Sequence, residues 1–319
     1  MAKRKRRVNN DSIPSVIAAI VGNLLIAVTK FVSFAFTGSS AMLSEGIHSV
    51  VDTGNGALML WGVHKSRQPP DEEHPFGHGR ELYFWSLIVA VSIFGVGGGV
   101  SLYEGILHIS EPVTIESPVW SYATLIAAFV FEGTTWIFGW RAFSKDRKGK
   151  PLFEAIRSSK DPTSFTVLLE DTTALLGLVV AFIGVLLSSH FGFSRFDGVA
   201  SVAIGLLMCA AALILGKETK SLLIGESVDK ETVDGIRRIV ESEAGVQTAN
   251  KIRTIYLGPD DVALTLELRF EKGISAGNLR TAIRKIKHNV KEHYPFIIAV
   301  YYEVESIPDW NLGENSETA

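Results

Sequence analysis

The stretch "LSEGIHSVVDTGN", residues 43–55, carries three ionisable side chains, Glu45, His48 and Asp52, inside an otherwise apolar segment. An ionisable group in a membrane helix is costly unless it faces a polar interior or a partner, so such groups mark functional sites. His48 and Asp52 are four residues apart and therefore share one helix face. The stretch predicts a membrane helix with one face turned toward an interior site.

The apolar character extends far on both sides of this stretch. The chain has 319 residues, 47% of them hydrophobic, and a mean hydropathy of +0.23. Apolar runs of about 20 residues, the length that crosses a bilayer, recur between residues 12 and 221. We predict six spans in this transmembrane domain, at 14–36, 39–63, 82–109, 119–143, 163–189 and 198–215.

The basic residues predict the orientation of these spans, because Lys and Arg collect in cytoplasmic loops. The loops after spans two and four and the opening tail, residues 1–11, are rich in them, whereas the opposite loops contain almost none. Both termini are therefore expected in the cytoplasm. We expect a multi-pass protein of a bacterial plasma membrane.

The composition changes at about residue 226, and residues 226–307 predict a small cytoplasmic domain. "DKETVDGIRRIVESE" and "SAGNLRTAIRKIKHNVKEHY" have helical apolar spacing, with Ser275 as N-cap of the second helix. "NKIRTIYLGPDDVALTLELRFE" predicts two strands around a Gly-Pro-Asp-Asp turn, and "FIIAVYYEVES" a third strand. This order is that of a ferredoxin-like α/β unit. Residues 308–319 are expected to be a flexible tail.

The residue types in spans two and five point to metal-ion chemistry. An imidazole and a carboxylate, as in His48 and Asp52, suit Zn²⁺ and similar divalent ions. Span five contains "TVLLEDTTALLG", with Glu170 beside Asp171. Adjacent helical residues point about 100° apart, so the two are not expected to be equal ligands of one ion. His48, Asp52 and Asp171 would leave a fourth position for another group or water.

Two further ionisable residues lie in predicted spans. Lys30 in span one is expected either to extend toward the membrane surface or to pair with a carboxylate. Glu132, in "FVFEGTTWIFGW" of span four, is either a structural group, as that partner or in a helix-packing hydrogen bond, or a group that handles protons or metal. The sequence leaves both alternatives open.

A second cluster of ligand types lies in the loop before span three, "PPDEEHPFGHGR". Asp71, His74 and His78 offer one carboxylate and two imidazoles within eight residues, a plausible metal set. Two solvated surface histidines are the alternative.

Taken together, the chain resembles the cation diffusion facilitator family over about residues 12–305. The resemblance rests on "HSVVD" in span two, "HPFGHGR" before span three, "DGVASVAIGLLM" opening span six, and the ferredoxin-like tail. It implies a homodimeric exporter, paired through both domains, that moves Zn²⁺, or Mn²⁺, Fe²⁺ or Co²⁺, out of the cytosol against protons. The metal ligands it implies are His48, Asp52 and Asp171 centrally, and Asp71, His74 and His78 in the loop.

Three features depart from or qualify this pattern. Val167 stands where the family has a fourth central ligand, so Glu170, Glu132 or water is expected to substitute. The "LLED" of span five is similar to a branch that includes the mitochondrial zinc transporter of animals. Asn250 and Thr265 stand where some members have zinc ligands in the tail, which predicts a tail that dimerises without strong zinc sensing.

The remaining site predictions concern single charges. Glu45, one turn before His48, is expected to line the access path, and Arg80 is expected to pair with Glu226 near the membrane. Glu45, Glu170 and Glu132 are candidates for a proton or metal relay.

Other classes of protein fit less well. A net charge of −3 gives no support to nucleic-acid binding, and the single cysteine, Cys209, excludes a disulfide within the chain. We find no Ser/His/Asp set, HExxH or phosphate loop, so an enzyme is not expected. The expected function is Zn²⁺/H⁺ antiport by alternating access. The alternatives are another divalent metal as substrate, or a membrane metal sensor that does not transport.

Overall fold

The computed structural model describes residues 12–113, 118–146 and 159–304. The predicted tails at 1–11 and 308–319, and much of the basic loop after span four, lie outside these residues. Contacts divide the chain into two compact units. The first runs to Gln68 and resumes over Arg80–Ser221, and the second comprises Pro69–Gly79 and the chain from Leu222 onward. In this division the loop at Pro69–Gly79 groups with the C-terminal part.

The first unit is a bundle of long helices. In chain order they are α1 (Ser12–Thr37), α2 (Ser40–Ser66), α3 (Glu81–Ser92), α4 (Gly99–Ser110), α5 (Pro118–Asp146), α6 (Pro162–Phe191) and α7 (Arg195–Ile224). A π-helical turn, Ile93–Gly98, joins α3 and α4 into one span. Each helix overlaps one of the predicted spans, and α7 extends beyond its prediction at both ends.

Four stretches are long and apolar enough to cross a membrane, among the described residues: Glu81–Ser110, Pro118–Arg141, Phe165–Phe191 and Arg195–Ile224. The apolar stretch of α1, Gly22–Thr37, is shorter. The predicted class of fold, a helical membrane protein with a small α/β domain, is confirmed. The count of six is not, and α1 and α2 stay predicted spans.

Local sequence signals place the ends of α6, which carries part of the site. Asp161 is its N-cap and accepts a hydrogen bond from the Thr163 backbone N–H at 3.0 Å. Pro162 occupies the first helical position, where its missing N–H costs nothing. Gly192 ends the helix in the left-handed conformation, at φ 71°.

A buried carboxylate fixes the start of α2 to α7. Asp197 accepts hydrogen bonds from Ser39 Oγ at 2.6 Å, Ser40 N at 2.5 Å and Ser40 Oγ at 2.9 Å. Ser201 Oγ donates to Ser40 Oγ at 2.9 Å. An anion at a helix N-terminus satisfies exposed backbone donors and the helix dipole. This contact therefore anchors the helix that carries His48 and Asp52.

The second unit has the predicted order of helix, two strands, helix and strand. Its elements are α8 (Lys230–Glu241), β1 (Val246–Gly258), β2 (Asp261–Phe270), α9 (Ala276–His293) and β3 (Ile297–Val304). The sheet order is β1-β2-β3, with β1 antiparallel and β3 parallel to β2. Leu264, Leu266 and Leu268 of β2 are fully buried against residues of both helices. Ser275 caps α9, as predicted.

Candidate metal centre

His48 and Asp52 form the part of the site that the sequence marks most clearly. Both lie on α2, and His48 Nε2 is 3.3 Å from Asp52 Oδ2. His48 is only 3% exposed. Within the described part of the chain, His48 Nδ1 and Asp52 Oδ1 are buried and have no hydrogen-bond partner. Buried polar atoms are normally paired, so these two unpaired atoms call for an explanation, and both are of a type that can bind a metal ion.

Carboxylates from three helices converge on one cavity of about 460 Å³. Asp52 of α2, Glu132 of α5, and Glu170 and Asp171 of α6 all line it. The lining continues to Val63, near the end of α2, and to Thr163, at the start of α6. The cavity thus extends from the buried acids toward the end of the bundle that the basic loops predict to be cytoplasmic.

Glu170 and Asp171 line this cavity together, although they are neighbours in the chain. Asn55 Nδ2 donates a hydrogen bond of 2.8 Å to Glu170 Oε1 and holds that side chain toward α2. In the described residues, Asn55 Oδ1 and Asp171 Oδ2 are buried without a partner. Val167 also lines the cavity, is 48% exposed, and offers no ligand atom. The predicted 100° separation therefore does not keep Glu170 out of the cavity.

Sequence reasoning missed Asn55, although a signal was present. Asn55 lies three residues after Asp52 and seven after His48, which places it on nearly the same face of α2. The side chain is fully buried. A buried amide two turns from a candidate ligand, on the same face, is reason to consider it part of the site.

Lys30 joins three helices of the bundle. Its Nζ lies 2.9 Å from Glu45 Oε2, Ser49 Oγ and Glu132 Oε1. Of the predicted alternatives for Lys30, pairing with a carboxylate is therefore confirmed. Glu45 is fully buried in this contact and is not among the residues that line the cavity. The expectation that Glu45 lines an access path stays a prediction.

The loop residues Asp71, His74 and His78 are brought together within the second unit. Asp71 Oδ1 is 3.2 Å from His74 Nδ1, and Asp71 Oδ2 is 3.4 Å from His78 Nε2. One ligand atom from each of the three lies within 4.8 Å of the others. Among the described residues, this is the group of three or more His, Cys, Asp or Glu side chains whose ligand atoms all lie that close to one another. The ligand atoms of His48, Asp52 and Asp171 do not form such a group.

The loop is shaped by its own backbone contacts. The His74 backbone N–H donates to Asp71 Oδ1 at 2.6 Å, and Gly77 turns the chain at φ 84°. The hydrogen bond from this backbone N–H is the main cause that lowers the pKa of the Asp71 carboxyl below its usual value. The Asp71 carboxyl therefore stays ionised to lower pH. His78 is the most enclosed of the three, with 9% of its side chain exposed.

Arg80 and Glu226 belong to different units. Their pairing stays a prediction.

The helical bundle with its buried acidic cavity, and the α/β unit after it, are the two parts of a cation efflux protein. The chain belongs to this family, since the cation efflux transmembrane domain matches residues 16–224 and the cytoplasmic domain of cation efflux proteins matches residues 228–307. The predicted resemblance to cation diffusion facilitators is thereby confirmed.

Relatives of several kinds match the chain. "Proton-coupled zinc antiporter SLC30A9, mitochondrial" of Mus musculus is 34% identical over 258 residues, which cover 80% of this chain and 46% of that protein. "Metal tolerance protein C4" of Arabidopsis thaliana is 28% identical over 84% of this chain and 60% of its own. "Cation-efflux pump FieF" of Cronobacter sakazakii is 26% identical over 88% of each chain. The chain thus spans about half the length of the animal relative.

Proposed function

We propose that the protein exports a divalent cation, Zn²⁺ in the first place, in exchange for protons. The observation that carries this proposal is the convergence of His48 and Asp52 with Glu170 and Asp171 in one region of the bundle, three of them around one cavity. Nitrogen and carboxylate oxygen are the ligand atoms that bind zinc tetrahedrally. The names of the relatives, a proton-coupled zinc antiporter and a cation-efflux pump, support the same function.

Proton coupling follows from the ligand chemistry. Binding requires a neutral imidazole and ionised carboxylates, so a metal ion that enters displaces protons. Protons arriving from the opposite side compete for the same atoms and release the metal. Two arrangements of the bundle would expose the site to the two sides in turn. The observed cavity, which reaches Val63 and Thr163, corresponds to access from the predicted cytoplasmic side.

The fourth ligand, in this proposal, is Glu170 in place of Val167. Its carboxylate lines the cavity beside Asp171, and the hydrogen bond from Asn55 limits its orientations. Partners of this kind orient metal ligands and are as much part of a site as the ligands themselves. Glu132, which is held by Lys30, is then a neighbour of the site and not a ligand.

Transport by purified protein in proteoliposomes tests the function. With a zinc dye on one side and a pH dye on the other, we expect saturable Zn²⁺ flux accompanied by proton flux in the opposite direction. Mn²⁺, Fe²⁺ and Co²⁺ in parallel assays establish the preferred substrate. If none of the four metals produced coupled flux, the alternative of a non-transporting metal sensor would be favoured.

The loop residues are proposed as a second, separate metal site. One ligand atom each from Asp71, His74 and His78 already lies within 4.8 Å of the others, so the side chains need to move only a short distance to bind one ion. We expect His78→Ala to lower the number of Zn²⁺ ions bound per chain in equilibrium dialysis by one. His288→Ala, at an exposed histidine of α9, is the matched control. Equal metal content in both variants would show that the loop histidines are merely solvated.

Homodimerisation through both domains and residence in a bacterial plasma membrane also stay proposals. The match to the cytoplasmic domain of cation efflux proteins supports the first. The match to a cation-efflux pump of the bacterium Cronobacter sakazakii supports the second. A monomeric mass by light scattering in detergent would contradict the dimer, and fractionation of the source cells would identify the membrane.

A further inference from the structure

The Lys30 ammonium lies in a cage of oxygen atoms next to the proposed transport site. Glu45 Oε2 and Ser49 Oγ come from α2 and Glu132 Oε1 from α5, each 2.9 Å from Nζ. Lys30 itself comes from α1 and is 1% exposed. All three of the hydrogen-bond donors of an ammonium group are thus used within the bundle.

The cage contains more acceptor atoms than Lys30 can satisfy. Glu45 Oε1 and Glu132 Oε2 are buried, and neither has a hydrogen-bond partner within the described residues. Two carboxylates and a hydroxyl supply five oxygen atoms, an oxygen-rich set of the kind that binds divalent cations. With both carboxylates ionised, one ammonium leaves the cage with an excess negative charge. The cage therefore has the ligand composition of a divalent-cation site, and the Lys30 ammonium occupies the position that such a cation would take.

The cage and the transport site are immediate neighbours. Ser49 and Glu132 line the same cavity as Asp52. On α6, a β-carbon added to Gly177 would lie 2.5 Å from Glu45 Oε1 and 4.0 Å from His48 Nδ1, so one glycine faces both places. Ser49 and Glu132 thus belong both to the cage around Lys30 and to the wall of the cavity that Asp52 lines.

We propose that Lys30 is a built-in cation that closes a second divalent-cation site, so that the bundle holds one metal ion at a time. The inference rests on the proposed function only in taking the same class of ion as the ligand. It assigns Glu45 and Glu132 to the cage that Lys30 closes, apart from the ligands of the transported ion. Without the ammonium, a divalent ion would bind between the two carboxylates.

A purely structural role for Lys30 predicts a different result. If Lys30 only ties α1, α2 and α5 together, removing its amine loosens the bundle and no metal is gained. If it closes a cation site, removing it gains one metal ion per chain. The number of bound ions separates these roles, whereas a loss of stability alone does not.

The test is equilibrium dialysis of the full-length protein with Zn²⁺, in a background carrying Asp71→Asn, His74→Ala and His78→Ala to remove the loop site. We expect one Zn²⁺ per chain in the background and two after adding Lys30→Ala. Adding Glu45→Gln and Glu132→Gln to Lys30→Ala is expected to restore one, because the cage then lacks charge. Lys30→Arg, which keeps a cation there, is expected to bind one.

The outcomes that overturn the proposal are distinct from those that overturn the transport function. Lys30→Ala with the same metal content as its background overturns it, and so does a Lys30→Ala protein that fails to fold in saturating Zn²⁺. In the latter case a free cation cannot replace the ammonium. A background protein that binds no Zn²⁺ contradicts the central transport site instead, whatever Lys30→Ala does.

Discussion

Replacing Asp52 by asparagine is expected to reduce Zn²⁺ flux into proteoliposomes by about 100-fold or more. Removing a group that only orients a metal ligand typically costs about 10- to 100-fold in metal affinity or activity, and losing a proposed ligand is expected to cost at least as much. The substitution keeps the volume of the side chain but removes its charge and one carboxylate oxygen. His48 Nε2 then loses its acidic neighbour at 3.3 Å, and the cavity loses a carboxylate from α2. Flux is measured with a zinc dye under an imposed pH gradient.

Stability distinguishes a lost ligand from a damaged fold. Removing one of several neighbouring carboxylates relieves repulsion between like charges, so in metal-free buffer we expect a thermal midpoint no lower than that of the unmodified protein. Glu218→Gln, at an acid of α7 outside the cavity, is the control and is expected to keep its flux. Normal flux through Asp52→Asn would show that the central site lies elsewhere.

Replacing Asn55 by leucine is expected to weaken Zn²⁺ binding at the central site by about 10- to 100-fold. That range corresponds to about 1.4 to 2.8 kcal/mol of binding free energy. Leucine fills the same buried space but cannot donate the 2.8 Å hydrogen bond to Glu170. The freed carboxylate then samples orientations that do not meet the metal. Competition with a chelating dye measures the affinity.

A double-mutant cycle with Glu170→Gln tests whether Asn55 acts through Glu170. If it does, the double variant binds Zn²⁺ no more weakly than Glu170→Gln alone, since coupled residues are not additive. Asn23→Leu changes another asparagine that lines the cavity and is the matched control. Fully additive losses would show that Asn55 and Glu170 contribute independently, and would contradict the proposal that Asn55 acts by orienting Glu170.

Local patterns predicted most of the fold because they depend on neighbours in the chain. Helical and alternating periodicity gave the order of elements in the C-terminal unit, and apolar runs gave the positions of the long helices. The end of α7 was missed because the apolar run stops near residue 215, whereas the helix continues through Lys217, Glu218 and Lys220 to Ile224. Charged residues end a hydropathy signal without ending a helix.

For the site, spacing predicted faces but not partners. His48 and Asp52 share a face by arithmetic on the sequence, and the structure places them 3.3 Å apart. Whether Lys30 extends to the membrane surface or pairs with a carboxylate depends on Glu45 and Glu132, which lie 15 and 102 residues away in the sequence. The contact of Asn55 with Glu170 spans 115 residues. No local pattern carries information over such separations.

The carboxylate at the start of α2 has a consequence for the order in which the chain assembles. Ser39 and Ser40 precede their acceptor Asp197 by 158 and 157 residues, so both are synthesised and inserted long before it exists. Until α7 is made, the Ser40 backbone N–H and the hydroxyls of Ser39 and Ser40 lack this acceptor. We therefore expect α2, although it is synthesised early, to be among the last helices to reach its final position during biogenesis. Chains that stop before Arg195 are expected to be retained by cellular quality control as incompletely folded.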